Sequence, residues 1–262
     1  MKNWIKIFCA VAVLFVGCSS PTNGETGSYE DPKWDKSSSS KAKVSSSSAA
    51  ISSESKSSSS GISLSISWIK TGNFRTSQTE VMQSDYQKLM GELPPQMAKA
   101  VGDSFPVSNV SWYDAILFAN ELSKVLGLDT AYSYTSRGAG NKLGGFRTDA
   151  FVSAVRLPSR EEWEYAARAG STGNYYWGTS PAKNYAQYNR LTDSYQKVAQ
   201  KQPNAWGIYD VSGNVSEWTA DTALCGGDWT SVAKDLALKN EEKKLPDYTS
   251  MTTGFRVIRT GE

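Results

Sequence analysis

Residues 207–221 read GIYDVSGNVSEWTAD. Asp210 and Glu217 place two carboxylates seven residues apart, and Gly213 lets the chain turn between them. Calcium takes about six to eight oxygens from carboxylates and backbone carbonyls in loose geometry, so this turn is a candidate calcium loop. An EF-hand comes near, since Asp210, Ser212 and Asn214 suit its first, third and fifth positions. It fails because Val215 stands where that loop needs glycine and Asp221 where it needs a bidentate glutamate. The plainer alternative is that the acids cap turns or pair with arginines such as Arg156 or Arg256.

Upstream, SWYDAILFANELSKVLG (residues 111–127) repeats apolar residues at helical spacing: Trp112, Ala115, Ile116, Ala119, Leu122 and Leu126. Ser111 with Asp114 forms a capping-box variant, and Gly127 is a C-terminal stop. In LPSREEWEYAARAG, Ser159 and Glu162 make a capping box, Trp163, Ala166 and Ala167 form the inner stripe, and Gly170 ends the helix. A third short helix is predicted over 83–90. SLSISWI (63–69) and GFRVIR (254–259) are strand candidates among long polar loops. The fold class is α+β with high loop content, and such a fold needs devices to hold its loops.

The first 17 residues read as a signal peptide, with Lys2 and Lys6 ahead of an apolar run over 7–16 that is too short to span a bilayer. The run ends LFVGC, resembling a bacterial lipobox with Cys18 as the lipidated residue. Residues 18–61 are Ser-rich and nearly free of large apolar side chains, so they cannot offset their own chain entropy and read as a disordered tether. Such a tether has a root-mean-square reach of about 35 Å. Residues 62–262 remain as a single domain. The expected location is the bacterial cell envelope, with the outer membrane favoured by Ser19 and the membrane itself a partner through the lipid.

Cys9 and Cys18 are accounted for, so Cys225 is the one thiol of the domain and no disulfide is available to it. The chain has no histidine, which excludes a Ser-His-Asp triad, a Cys-His pair and His-ligated metal sites. A net charge of +2 with no basic stripe argues against nucleic acid. Nine Trp and thirteen Tyr could build either a core or a binding surface.

An ordered set of motifs extends over most of 65–260: TEV (79–81), PVSNVSWYDAILFANELS (106–123), RLPSREEWEYAARAG (156–170), YYWG (175–178), PNAWGIYDVSGNVSEW (203–218), GGDW (226–229) and GFRV (254–257). The succession resembles the formylglycine-generating enzyme (sulfatase-modifying factor) domain family. The resemblance implies a loop-rich single domain related to C-type lectins, with a few short helices, small antiparallel sheets and structural calcium. It implies one calcium site from the side chains of Asp210 and Glu217 with the carbonyls of Gly213 and Val215. It implies a second, more loosely matched, from Gln187 and Asp193 with the carbonyls of Tyr188 and Tyr195.

Active members bind copper(I) through two cysteines five residues apart after a GGSW element. Counting from GGDW, those positions hold Ser231 and Leu236, neither of which can ligate copper(I). Copper and formylglycine generation are therefore not expected, and no catalytic residues are assigned. Cys225 reads as a buried small residue or, more sharply, as a reactive thiol near the ancestral groove. The expected function is a non-catalytic, tethered extracytoplasmic module binding a glycan or an envelope protein. Its ligand face would be Tyr175, Tyr176, Trp177, Cys225, Asp228 and Trp229, with the three YYW aromatics exposed. The alternatives are altered, non-copper enzyme chemistry on acids such as Glu161, Glu164 and Asp228, or a structural part in an envelope assembly.

Overall fold

Three helices form where the apolar spacing and caps require them. In the computed structural model, which describes residues 61–180 and 182–261, helix α1 spans Gln83–Met90, α2 Trp112–Val125 and α3 Arg160–Arg168. Both capping boxes close. Ser111 Oγ accepts from the Asp114 amide at 3.1 Å, and Asp114 Oδ2 accepts from the Ser111 amide at 2.8 Å. At α3, Ser159 Oγ accepts from the Glu162 amide at 3.2 Å, and Glu162 Oε2 accepts from the Ser159 amide at 2.8 Å. Glu162 also takes a two-pronged bond from Arg156, at 2.6 and 2.7 Å. Each cap satisfies amide donors that the first helical turn leaves without partners. The expected signal peptide, Cys18 and nearly all of the expected tether lie outside the described residues.

The strands are short. They run β1 (Trp68–Thr71), β2 (Phe74–Ser77), β3 (Tyr132–Ser133), β4 (Ser136–Arg137), β5 (Leu143–Gly144), β6 (Arg147–Thr148), β7 (Val155–Arg156), β8 (Ser216–Trp218), β9 (Ala223–Cys225), β10 (Glu241–Lys243), β11 (Thr253–Phe255) and β12 (Ile258–Arg259). One four-stranded sheet has the antiparallel order β1-β2-β12-β7. The other has the order β10-β9-β8-β11, and its β11–β8 pair is parallel. Two small two-stranded ladders, β3–β6 and β4–β5, complete the set.

Two strand expectations change. GFRVIR does not form one strand but two, in different sheets, with Arg256 and Val257 between them. Arg256 is wholly buried, and the break lets its guanidinium reach an acid inside. Of SLSISWI, only Trp68 and Ile69 join a ladder. The Ser65 amide instead donates to Asp85 Oδ1 at the start of α1.

The largest core cluster gathers around α2. Trp112, Ala115, Ile116, Ala119 and Leu122 are buried as the spacing predicts, and so are Leu117 and Phe118 on the flank. Phe118 stacks on Tyr86 of α1 and meets Phe255 of β11 edge-on, which ties two helices to a sheet. Around this core, loops are held by side chains bonding to distant backbone. Trp112 Nε1 donates to the Thr219 carbonyl, Trp218 Nε1 to that of Val110, and Asn204 Nδ2 to those of Ala166 and Ala167.

Candidate functional site

The turn leading into β8 is built by left-handed residues, Asn214 at φ +62° among them, and one close approach. Asp210 sits at φ +56° and Gly213 at φ +80°. A Cβ on Gly213 would lie 2.2 Å from the carbonyl oxygen of Gln187, so this position admits glycine alone. That contact docks residues 187 and 213 together, with the Asn214 amide donating to the Gln187 carbonyl at 2.8 Å.

Three carboxylates converge on this turn from different parts of the chain, and all are buried. Glu217 receives two bonds from Arg256, each 2.6 Å, and a third from Trp163 Nε1 at 2.6 Å. Asp210 Oδ2 accepts from the Ala199 amide at 2.6 Å. The third acid is Glu80, whose oxygens accept from the Val215 amide at 3.1 Å and from Asn214 Nδ2 at 2.8 Å. Burial holds Glu80 well above the usual carboxylate range, and the charges of Asp210 and Glu217 add to the effect. Burial likewise pushes Asp210 up to about 6. Glu80 is the middle residue of TEV; the motif was legible as a family mark, but its role as the brace of residues 214 and 215 was not.

The pairing of Glu217 with Arg256 matches the plainer alternative for that acid. The cluster nonetheless carries more negative than positive charge, with Arg256 the buried guanidinium against Glu80, Asp210 and Glu217. Burying uncompensated charge is costly unless protons or a cation neutralise it, so an oxygen-ligated divalent cation suits this chemistry. No three Cys, Asp or Glu side chains among the described residues converge on one metal position. The expected set needs only two acids, with backbone carbonyls for the rest.

At the looser candidate, Asp193 pairs with Arg190 at the surface, with both side chains more than a third exposed. Tyr195 is fully buried and its hydroxyl donates to Gln96 Oε1 at 3.1 Å, while Gln187 contributes its backbone to the 187–213 contact. Tyr188 packs at the edge of an aromatic cluster.

The exposure expected of the YYW aromatics is corrected: Trp177 is buried, and Tyr175 and Tyr176 are half-buried. Tyr175, Trp177 and Tyr185 stack on one another, with Tyr176 edge-on, and the group packs over Ala186 and Leu236. The Tyr176 hydroxyl donates to the carbonyls of Tyr185 and Gln202. Trp177 is buried, as is Trp229 against Tyr195 and Val215. These rings hold loops, because a loop-rich domain has few regular elements to supply its core. Cys225 is also buried, among Trp163, Ile208, Val211 and Leu238. Burial pushes its thiol up to about 12, so little reactive thiolate exists near neutral pH.

Of the expected face, Asp228 borders a cleft. A cleft of about 370 Å³ lies over β9 and β10, bordered by Leu224, Asp228, Ser231, Asp235, Glu241 and Glu242. Asp228 Oδ1 accepts from the amide and hydroxyl of Thr230, and Ser231 Oγ accepts from the Asp228 amide, so a tight turn forms this wall. Strand alternation explains why Leu224 reaches the cleft while Cys225 points inward. Ser231 faces the cleft, whereas Leu236 is buried beneath Trp177.

The sulfatase-modifying factor enzyme 1-like domain family matches residues 40–261. The chain belongs to this family. It is similar to the chaperone protein LppX of Paenibacillus barcinonensis, 26% identical over 232 residues that cover 73% of this chain and 82% of that protein. It is 32% identical over 128 residues to the inactive C-alpha-formylglycine-generating enzyme 2 of Mus musculus, covering 38% of this chain and 42% of that protein. Among solved structures, Treponema denticola variable protein 1 superposes with a TM-score of 0.63 at 28% identity, over 72% of this chain and 84% of the other. The sulfatase-modifying factor fold, loop-rich and α+β, is thus shared with proteins of differing names.

Proposed function

We propose that this chain is a non-catalytic sulfatase-modifying-factor module, lipid-anchored through Cys18 in the bacterial envelope and probing its surroundings with the acidic cleft. One observation carries the reading: the two positions expected to hold copper thiolates are Ser231 and Leu236, yet the cleft beside Ser231 remains open. Leu236 has become a packing residue and Ser231 part of a turn, so neither supplies a soft ligand. The names of two relatives, an inactive formylglycine-generating enzyme and a chaperone protein, accord with binding in place of turnover. The ligand is a glycan or an envelope protein meeting the wall of Asp228, Glu241 and Glu242.

Calcium belongs to this proposal as a structural ion. Asp210 and the carbonyls of Gly213 and Val215 would hold it, with Glu217 shared between the ion and Arg256. It would supply the positive charge that the buried acids lack.

The decisive experiment supplies the full chain with copper(I), oxygen and a cysteine-containing sulfatase peptide. No formylglycine is expected; its formation would overturn the non-catalytic reading. Affinity capture from membranes, comparing the native chain with Asp228→Ala, tests the cleft. A stoichiometric envelope partner or glycan that the variant loses is the expected result, and identical recovery by both chains would exclude the cleft.

A further inference from the structure

Residues 62–67, ISLSIS, lead into β1 and lie in no sheet. Their side chains nonetheless alternate: Ile62, Leu64 and Ile66 are half-buried, while Ser63, Ser65 and Ser67 are exposed. Leu64 and Ile66 pack against the core around α2. This is strand-like spacing without a neighbouring strand, so the segment is a strap laid over the core and takes its bonds from elsewhere. At its end the Gln78 amide donates to the Ser67 carbonyl at 2.8 Å. At the surface Lys88 Nζ donates to the Ser63 carbonyl at 2.9 Å. Between them the Ser65 amide donates to Asp85 Oδ1 at 2.9 Å.

Asp85 is fully buried. It stands third in α1, the position from which Asp114 and Glu162 cap the starts of α2 and α3, yet its carboxyl turns to the strap. Its other oxygen, Oδ2, is buried with no hydrogen-bond partner among the described residues. A buried carboxylate satisfied by one neutral donor is costly, and opening the strap returns it to water.

We propose that residues 62–67 are a strap that opens and closes over the core, with Asp85 and the Ser65 amide as its latch. Opening bares Leu64, Ile66 and the margin of the core that they cover. None of these residues borders the acidic cleft, so the strap is tested separately from it.

Protonation sets the balance. Burial holds the Asp85 carboxyl above its ordinary 3.8, and the Ser65 amide and Lys88 offset part of the rise. The strap itself carries no charged side chain. The closed form therefore binds the proton more tightly than the open one. Closure is strongest below about pH 4 and weakens as pH rises through the raised value of Asp85.

The test follows the Ser65 amide of the full chain by NMR hydrogen exchange from about pH 4 to about pH 8, corrected for intrinsic rates. The Phe118 amide, inside α2, is the reference for opening of the whole domain. Protection of Ser65 relative to Phe118 should fall as pH rises, about tenfold for each pH unit over which only the closed form holds the proton. Asp85→Asn keeps an acceptor for the Ser65 amide and does not titrate, so its relative protection should be flat across the same range. Flat protection in the native chain overturns the strap, as does a pH dependence that persists in Asp85→Asn. Should the variant not fold, the native series decides alone.

Discussion

The turn at 207–218 and the segment from Asp228 to Glu242 end in strands of one sheet, β8 and β10 with β9 between them, yet they are built on opposite terms. In the first, nearly every polar group is buried and bonded: Glu80, Asn214, Glu217 and Arg256 leave no room for substitution. In the second, acids stand around an open cleft, and Glu241 and Glu242 are exposed. Charges inside must match one another because the interior cannot solvate them, whereas at the cleft Glu242 is solvated and only Glu241 answers a buried cation, Arg160. The first region is therefore fixed by internal pairing, while the second can change with less cost to the fold.

Breaking the inner region should have the largest effect. Arg256→Met strands Glu217 in the core and should cost about 3–5 kcal/mol in urea unfolding. A loss below about 1 kcal/mol would mean that the pair contributes no more than a surface one. Next, Gly213→Ala forces a left-handed alanine against the Gln187 carbonyl and should cost more than about 1 kcal/mol by the same measurement.

The acid cluster also predicts a pH dependence. Asp210 rises from its ordinary 3.8 to about 6 on folding, so the folded chain binds more protons than the unfolded one in that interval. Stability of the metal-free protein should therefore be highest below about pH 4 as far as Asp210 is concerned, and fall as pH rises through 6. Glu80 acts in the same sense. Calcium favours the ionised acids, so unfolding at pH 7.5 with calcium and with EDTA should give a higher Tm with the ion. Equal Tm values would remove calcium from the account of Asp210. The smallest effect belongs to the cleft: Glu242→Gln, at an exposed position paired with Lys244, should change stability by less than about 0.5 kcal/mol.

Local signals were legible where one stretch of chain decides its own structure. Ser111 with Asp114 and Ser159 with Glu162 marked both helix starts, because a capping box is complete within four residues. The YYW aromatics were misread as exposed, since composition does not say which way a ring faces; Tyr185 and Leu236 decide that from elsewhere in the chain. GFRVIR read as one strand because its residue types suit one. At the break Arg256 turns inward to Glu217 and to the carbonyls of Ser77 and Tyr209.

The sequence by itself determined which ligand types are available: it has no histidine, and Ser231 and Leu236 stand at the positions where the family resemblance places copper thiolates. It also determined the family, through an ordered set of motifs. Tertiary structure alone decided how the opening acids are used. Glu217 meets Arg256 from 39 residues away, and Asn214 meets Glu80 from 134. Charges removed from water must find partners wherever the fold brings them, and that distance in the chain leaves no local pattern to read.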